Sequence, residues 1–290
     1  MPNQRSQRTI AQSVAVEGFG YWSGRDVRIE FCPAEENSGI VFVRTDLPAK
    51  TRIPARVAYR TDTPLRSSLE YDGARVDMVE HIMAALAGLR IDNCEIMVDE
   101  AEMPGCDGSC LPFVEAIEQA GMVTQKTPRR CIAVGEIIRA SRGDAQIELR
   151  PSAEDGLWLD YSLDYGPGPI GYQRLRLKLT PETFRQELAS CRTFLLESEA
   201  ERLRSMGLGQ RASFSDLLVF GPQGLVDNTL RYPDECVRHK LLDLVGDLAL
   251  ADCDIRGTVV ASRSGHYLNA KVLQTFLAKT QSLGSFRRCA

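Results

Sequence analysis

The stretch VEHIMAALAGL (Val79–Leu89) returns farther along the chain as VRHKLLDLVGD (Val237–Asp247), with Val, His, Leu and Gly in register. Apolar residues in the first stretch lie three and four positions apart, which predicts a helix with one buried face. The match makes His81 the counterpart of His239. Two amphipathic helices can share so short a pattern by chance, so the flanking elements must decide between chance and a duplicated unit.

Strands and a second helix are predicted around the first stretch. Val27–Phe31 alternates apolar and polar residues, as a half-buried strand does, and Ile40–Val43 is a short β-branched run. Cys94–Val98 is a further candidate strand. Leu111–Gly121 is predicted to be helical, since its proline suits a first turn and its glycine suits an end.

The same order of elements follows in the second half. Strands are predicted near Gln146–Arg150, Leu157–Asp164 and Arg174–Leu179, and Thr180-Pro181 opens a helix. Between the halves, the polar stretch TQKTPRR at Thr124–Arg130 is the predicted linker.

The repeated order therefore favours an α+β fold of two domains with related, duplicated topology. We place the domains at residues 1–125 and 131–290. The apolar faces of the helices should be buried between two sheets, because each face needs an apolar partner.

Composition excludes several classes of protein. Hydrophobic residues make up 43% of the chain and charged residues 26%, which is typical of a globular protein, and the net charge of -4 argues against nucleic-acid binding. The sequence has neither an apolar run of the roughly 18 residues that a membrane helix needs nor a secretory signal, so we expect a cytoplasmic protein without stable membrane insertion. Nine cysteines without paired spacing are interpreted as reduced thiols.

His239, Asp243 and Asp247 are spaced four residues apart, so one helix presents all three on one face. An imidazole and a carboxylate one turn apart can reach a single divalent ion, and His81 could supply a second nitrogen. Three protein ligands of this kind leave a catalytic zinc ion with an open position. The spacing alone also fits a solvated pair of His239 and Asp243, so both interpretations stay open.

Glu80 directly precedes His81 and would lie beside such an ion and its water. A carboxylate there can accept a proton as the water attacks an amide carbonyl. The alternative is a capping box, in which Asp77 begins the helix and Glu80 satisfies backbone amides.

His266 lies in a turn-like stretch after the predicted strand Gly257–Ala261. It could act as a general acid or as a fixed cation, with Asp247 orienting its ring, or it could be a surface histidine without a role. Thr193 could place a hydroxyl near the site or be structural.

Several motifs in order carry a family resemblance. They are VEHIMAALAGLRIDN, the downstream DGS, RTF at Arg192–Phe194, DECVRHKLLDLVGDL and SGHYLN. From about Arg8 to Leu277 the chain closely resembles UDP-3-O-acyl-N-acetylglucosamine deacetylases of lipid A synthesis, and the motifs include all three histidines.

The resemblance implies a two-domain β-α-α-β sandwich with a zinc (Zn2+) site at the domain junction. By motif position it also implies these roles: zinc ligands His81, His239 and Asp243, general base Glu80, oxyanion donor Thr193, acid or electrostatic stabiliser His266 oriented by Asp247, and substrate contacts Lys240 and Phe194. Whether Glu80 alone or Glu80 with His266 handles both proton transfers stays open.

An insert around residues 195–215 is expected to form a hydrophobic passage for the acyl chain, lined by Glu197–Phe214. The chain departs from the family pattern at Tyr21-Trp22, where many members have Leu-His. Gly209–Phe214 and Asn269-Ala270 also differ from common patterns. Acyl-chain length or sugar contacts could differ accordingly.

The predicted function is zinc-dependent hydrolytic N-deacetylation of UDP-3-O-acyl-N-acetylglucosamine, giving acetate and a free amine. The expected partner is this small acylated UDP-sugar, and the enzyme is expected to be a monomer. The alternatives are an amidohydrolase of the same fold acting on another N-acyl sugar, and a non-catalytic binder of a UDP-sugar lipid. A broken ligand set would mark the binder, and this sequence has an intact one.

Overall fold

The first half of the chain forms a sheet with two helices packed on it. This computed structural model describes residues 4–286, with side chains described for residues 4–280. The elements of the first half are β1 (Ser6–Ile10), β2 (Val14–Phe19), β3 (Asp26–Pro33), β4 (Ile40–Arg44), β5 (Arg52–Pro54), β6 (Arg60–Thr61), β7 (Ser68–Tyr71), β8 (Ala74–Asp77), α1 (Glu80–Gly88), β9 (Cys94–Val98) and α2 (Leu111–Ala120). On β3, Phe31 packs edge-on against Phe113 of α2, with ring centroids 6.3 Å apart.

The second half repeats this plan with a larger insert. Its elements are β10 (Met122–Pro128), β11 (Cys131–Ala133), β12 (Ile138–Arg142), β13 (Ala145–Arg150), β14 (Leu157–Asp164), β15 (Tyr172–Lys178), α3 (Pro181–Thr183), β16 (Phe194–Leu196), α4 (Glu197–Ser205), β17 (Leu218–Gly221), β18 (Gly224–Leu225), α5 (Glu235–Ala249), β19 (Asp254–Ser262) and α6 (His266–Phe286). After α3 the backbone continues as a π-helix at Phe184–Leu188. Among the helices of the described residues, none is long and apolar enough to cross a membrane.

The two main sheets have the same topology. Their strand orders are β2-β3-β9-β4-β5 and β12-β13-β19-β14-β15. In each sheet the third strand pairs antiparallel with the second and parallel with the fourth, and both outer pairs are antiparallel. A helix precedes and follows the third strand in both halves. The predicted α+β class and the duplicated topology are confirmed.

The two small sheets occupy equivalent places in the halves. The sheet β6-β7-β8 lies between β5 and α1, and the sheet β16-β17-β18 lies, with α4, between β15 and α5. Each insert therefore precedes the helix that carries the repeated sequence stretch, α1 in the first half and α5 in the second.

The segment predicted as a linker is a strand over most of its length. β10 runs to Pro128 and pairs antiparallel with β1, with Arg8 opposite Thr124 and Ile10 opposite Met122. Most of its residues are exposed, so it lacks the apolar alternation that marks a strand in sequence. The linker interpretation is corrected for this stretch, while the division into domains 1–125 and 131–290 stays a prediction.

α1 and α5 cross with their backbones in close approach. A Cβ built on Gly246 of α5 would lie 2.0 Å from the carbonyl oxygen of Glu80 on α1. Glycine inside a helix costs about 1 kcal/mol relative to alanine, so its presence here needs a reason. The reason is spatial, because any side chain at this position would push the two helices apart.

We expect Gly246→Ala to lower the stability of the protein by about 1–3 kcal/mol, since the added methyl group overpacks a buried crossing. Thermal unfolding monitored by circular dichroism would measure the change. Gly135→Ala is the matched control, because a Cβ at Gly135 meets nothing within 4 Å. Equal unfolding midpoints for the two variants would contradict this description of the crossing.

Candidate active site at the helix crossing

The crossing brings two histidines and an aspartate from different halves of the chain together. His81 of α1 and His239 of α5 stand nearly perpendicular, with ring centroids 5.1 Å apart. Asp243 Oδ1 lies 3.6 Å from His81 Nε2 and 3.2 Å from His239 Nε2. One donor atom from each residue falls within 4.8 Å of the others, which is the spacing of a possible metal-binding group.

Burial excludes the solvated pair that the spacing also allowed. His239 is 1% exposed and Asp243 is 4% exposed. The face of α5 that looked polar in sequence is therefore covered, here by α1 of the other half. A helix face can carry charge and still be buried when another charged face closes over it.

The donor atoms suit a divalent cation. The Nδ1 of His239 donates to the carbonyl oxygen of Cys191 at 3.0 Å, so Nε2 is the ring nitrogen that faces Asp243. Burial raises the pKa of Asp243, but His239 and Lys240 outweigh it and hold the pKa well below its usual range. Burial lowers the pKa of His81. Neutral imidazole nitrogens and an ionised carboxylate are the donors that zinc prefers.

Glu80 sits at the edge of this group and does not cap its helix. α1 starts after Val79 without a side-chain cap, and Asp77 lies in β8, so the capping-box alternative is wrong. Instead, Glu80 Oε2 accepts the backbone N–H of Ser67 at 3.0 Å, and Oε1 lies 3.9 Å from His266 Nε2. Burial raises the pKa of Glu80 to about 7, although His266 opposes the shift.

His266 is the first residue of α6 and not part of a loop. The Ser-Gly pair that suggested a turn lies just before the helix begins. His266 Nδ1 is 2.9 Å from Asp247 Oδ2, and its side chain is 10% exposed, so His266 is not a surface histidine. Burial lowers the pKa of His266, but the charge and hydrogen bond of Asp247 outweigh it and raise the pKa to about 9.

Thr193 is held through a glycine of the DGS motif. The N–H of Thr193 donates to the carbonyl of Gly108 at 2.8 Å, and Gly108 has a φ of +81°. A Cβ on Gly108 would lie 2.5 Å from the carbonyl oxygen of Asp216. The sequence does not predict this contact with Thr193, since nothing in the spacing links residues so far apart.

Lys240 and Phe194 lie together beside the carboxylate. Lys240 Nζ donates to Asp243 Oδ2 at 2.8 Å and stands 5.6 Å from the centroid of the Phe194 ring. Burial lowers the pKa of Lys240, but the Asp243 carboxylate raises it more, so this ammonium group stays charged.

One cavity of about 720 Å³ contains most of the predicted site residues. Its lining includes Glu80, His81, Thr193, Phe194, His239, Lys240, Asp243 and His266. Asp247 lies behind this wall, against His266. Further lining comes from apolar residues of the second insert and from arginines of the second half, namely Ala200, Leu203, Leu208, Arg142 and Arg263.

Comparison with known proteins gives one consistent result. The family model for LpxC, described as UDP-3-O-acyl N-acetylglycosamine deacetylase, matches residues 7–278. A protein from Anaeromyxobacter sp. (strain Fw109-5) named UDP-3-O-acyl-N-acetylglucosamine deacetylase is 38% identical, over 94% of this chain and 89% of its own length. Proteins of the same name are 36% identical in Myxococcus xanthus, over 96% and 88%, and 37% identical in Brucella ovis, over 94% and 95%.

We expect His239→Ala to lose metal and His266→Ala to keep it. His239 offers a donor atom to the group, whereas both ring nitrogens of His266 face carboxylates outside it. Removal of an outer hydrogen-bond partner costs roughly 10–100-fold in metal affinity, and removal of a ligand should cost more. Metal per protein chain, measured by mass spectrometry after dialysis, checks this. Retention of the ion by His239→Ala would overturn the ligand assignment.

Proposed function

The chain belongs to the UDP-3-O-acyl-N-acetylglucosamine deacetylase family, and from this premise we propose how its residues carry out the reaction. It is an amidohydrolase that removes the acetyl group of UDP-3-O-acyl-N-acetylglucosamine, giving acetate and a free amine, in lipid A synthesis. The observation that carries the proposal is the buried convergence of His81, His239 and Asp243 beside Glu80 in one cavity.

We propose that the metal is zinc and that His81, His239 and Asp243 hold it. When bound, such an ion polarises the amide carbonyl and lowers the pKa of a water molecule at its open position. The support is the donor set, two imidazole nitrogens and one ionised carboxylate, which is a three-ligand arrangement of the kind found in catalytic zinc sites.

Glu80 is the proposed general base. It accepts the proton of the attacking water, and a pKa raised to about 7 matches that task near neutral pH. The N–H of Ser67 fixes Oε2, so Oε1 is the oxygen directed toward His266.

His266 is the proposed acid. With a pKa raised to about 9 it is protonated at neutral pH, so it holds both the positive charge and the proton that the leaving amine requires. Asp247 orients the ring through Nδ1, which leaves Nε2 on the side of Glu80. The two groups thus have pKa values displaced from those of ordinary side chains in directions that suit a base and an acid.

Thr193 is the proposed oxyanion donor, and Lys240 with Phe194 contacts the substrate. All three line the cavity, and Gly108 holds the backbone of Thr193 in place. Donors fixed in advance need no reorganisation when charge develops on the carbonyl oxygen.

The rest of the cavity suits the two other parts of the substrate. Arg142 and Arg263 offer positive charge to a diphosphate, while Leu203 and Leu208 offer apolar surface to an acyl chain. The segment Glu197–Phe214, predicted to line the acyl passage, contributes both of these leucines.

We also propose that the enzyme works as a monomer in the cytoplasm. The groups assigned above leave no role in the proposed reaction for a residue of a second copy. The cysteines among the described residues are free thiols, as expected in a reducing compartment.

We expect Thr193→Ala to lower kcat about 10²–10³-fold without loss of metal, because one preorganised donor to the oxyanion is removed. Acetate release from UDP-3-O-acyl-N-acetylglucosamine is the assay, with metal content measured on the same samples. Thr193→Ser keeps the hydroxyl and should retain most of the activity. Full activity of Thr193→Ala would remove this residue from the mechanism.

Trp22 is expected to limit the length of the acyl chain. It lines the cavity, and the guanidinium carbon of Arg66 lies 4.5 Å from the centroid of its ring. The carbonyl oxygen of the adjacent Tyr21 lies 3.9 Å from a Cβ built on Gly209, which belongs to the predicted acyl passage. Trp22→Ala should raise the ratio of kcat/KM for longer acyl chains to kcat/KM for shorter ones about tenfold. This is the lower bound of the discrimination that one methylene group gives in an apolar pocket.

Trp158→Ala is the matched control for this effect. Trp158 also stacks under an arginine, Arg176 at 4.7 Å, but it lies on β14 and is not part of the cavity lining. A shift in chain-length preference with both variants, or with neither, would contradict the assignment of Trp22.

A further inference from the structure

Ser67 is a fully buried residue of the first insert, immediately before β7. Its N–H donates to Glu80 Oε2 at 3.0 Å, and its carbonyl accepts the N–H of Val79 at 3.2 Å. Its hydroxyl donates to Asp247 Oδ1, across 180 residues of sequence. One serine therefore contacts the carboxylates of Glu80 and Asp247, which belong to different halves of the chain.

The contact with Asp247 completes the hydrogen bonding of that carboxylate. Oδ2 takes His266 Nδ1 at 2.9 Å and Asn269 Nδ2 at 2.8 Å, so Ser67 is the donor to the opposite oxygen. Asp247 is 1% exposed, and a buried carboxylate oxygen that loses its donor has no water to replace it. Without the hydroxyl the carboxylate would turn to find another partner, and the His266 ring would turn with it.

We propose that Ser67 is a positioning residue that fixes Glu80 and the Asp247–His266 pair in one mutual geometry. It acts through these side chains and does not contact the substrate. The inference rests on the proposed function, because Glu80 and His266 are the base and the acid there. A displacement of about 1 Å in such a constellation can cost on the order of 10²-fold in rate.

Ser68 allows this role to be separated from a merely structural one. It is adjacent to Ser67 and equally buried, and its hydroxyl also donates to a carboxylate, that of Asp77. Asp77 lies in β8 and also accepts a hydrogen bond from the guanidinium of Arg75. Ser68→Ala therefore removes a similar buried hydrogen bond from the same segment.

The experiment compares metal-loaded wild type with Ser67→Ala, Ser67→Thr and Ser68→Ala. We expect Ser67→Ala to lower kcat about 10–100-fold with KM and metal content within about twofold of wild type. Ser67→Thr should restore most of kcat, and Ser68→Ala should keep it. If Ser67→Ala does not fold, Ser67→Cys takes its place, since the thiol keeps the volume and donates only weakly.

A spectroscopic readout makes the test independent of the substrate. The Nδ1 proton of His266, in its hydrogen bond to Asp247, should shift or broaden in the proton NMR spectrum of Ser67→Ala and stay unchanged in Ser68→Ala. If the wild type releases no acetate but the His266 signal still changes in Ser67→Ala, the positioning role is upheld and the proposed function is rejected. The inference is overturned if Ser67→Ala keeps the wild-type kcat and an unshifted His266 signal. Equal losses of kcat in Ser67→Ala and Ser68→Ala would also overturn it.

Discussion

The close backbone contact between α1 and α5 is the constraint on which the rest of the structure depends. At Gly246, the backbone of α5 touches the carbonyl of Glu80 in α1, because glycine has no Cβ to keep the two helices apart. This contact brings the start of α1, with Glu80 and His81, against α5, which carries His239 and Asp243. The two sheets pack the helices from outside, so the core stabilises a site that belongs to neither half alone.

The crossing concentrates buried charge, and its hydrogen bonds assign each carboxylate a different state. Burial raises the pKa of Glu80, whereas the neighbouring cation and imidazole hold the pKa of Asp243 well below its usual value. Asp247 accepts hydrogen bonds from Ser67, His266 and Asn269. The three carboxylates thus suit proton transfer, metal binding and orientation, because their surroundings differ.

Periodicity and motif order were enough to predict the main strands, both crossing helices and the group of donor atoms. The predictions failed where a local pattern had two meanings. Most of β10 has the polar composition and the proline of a linker, and the turn residues before His266 are also those that precede a helix. Gly108 acts through backbone atoms, and Ser67 reaches Glu80 with its N–H and Asp247 with its hydroxyl, 180 residues away. A sequence pattern carries no signal for such contacts.

The duplicated topology divides the site into a part that follows the repeat and a part that breaks it. His81 and His239 occupy matching positions of matching helices, so the repeat by itself supplies two of the three donor side chains. The carboxylates have no counterpart, since Arg238 stands opposite Glu80 in the repeat and Ala85 opposite Asp243. The pseudo-symmetry of the fold therefore ends at the carboxylates, each of which comes from one helix alone.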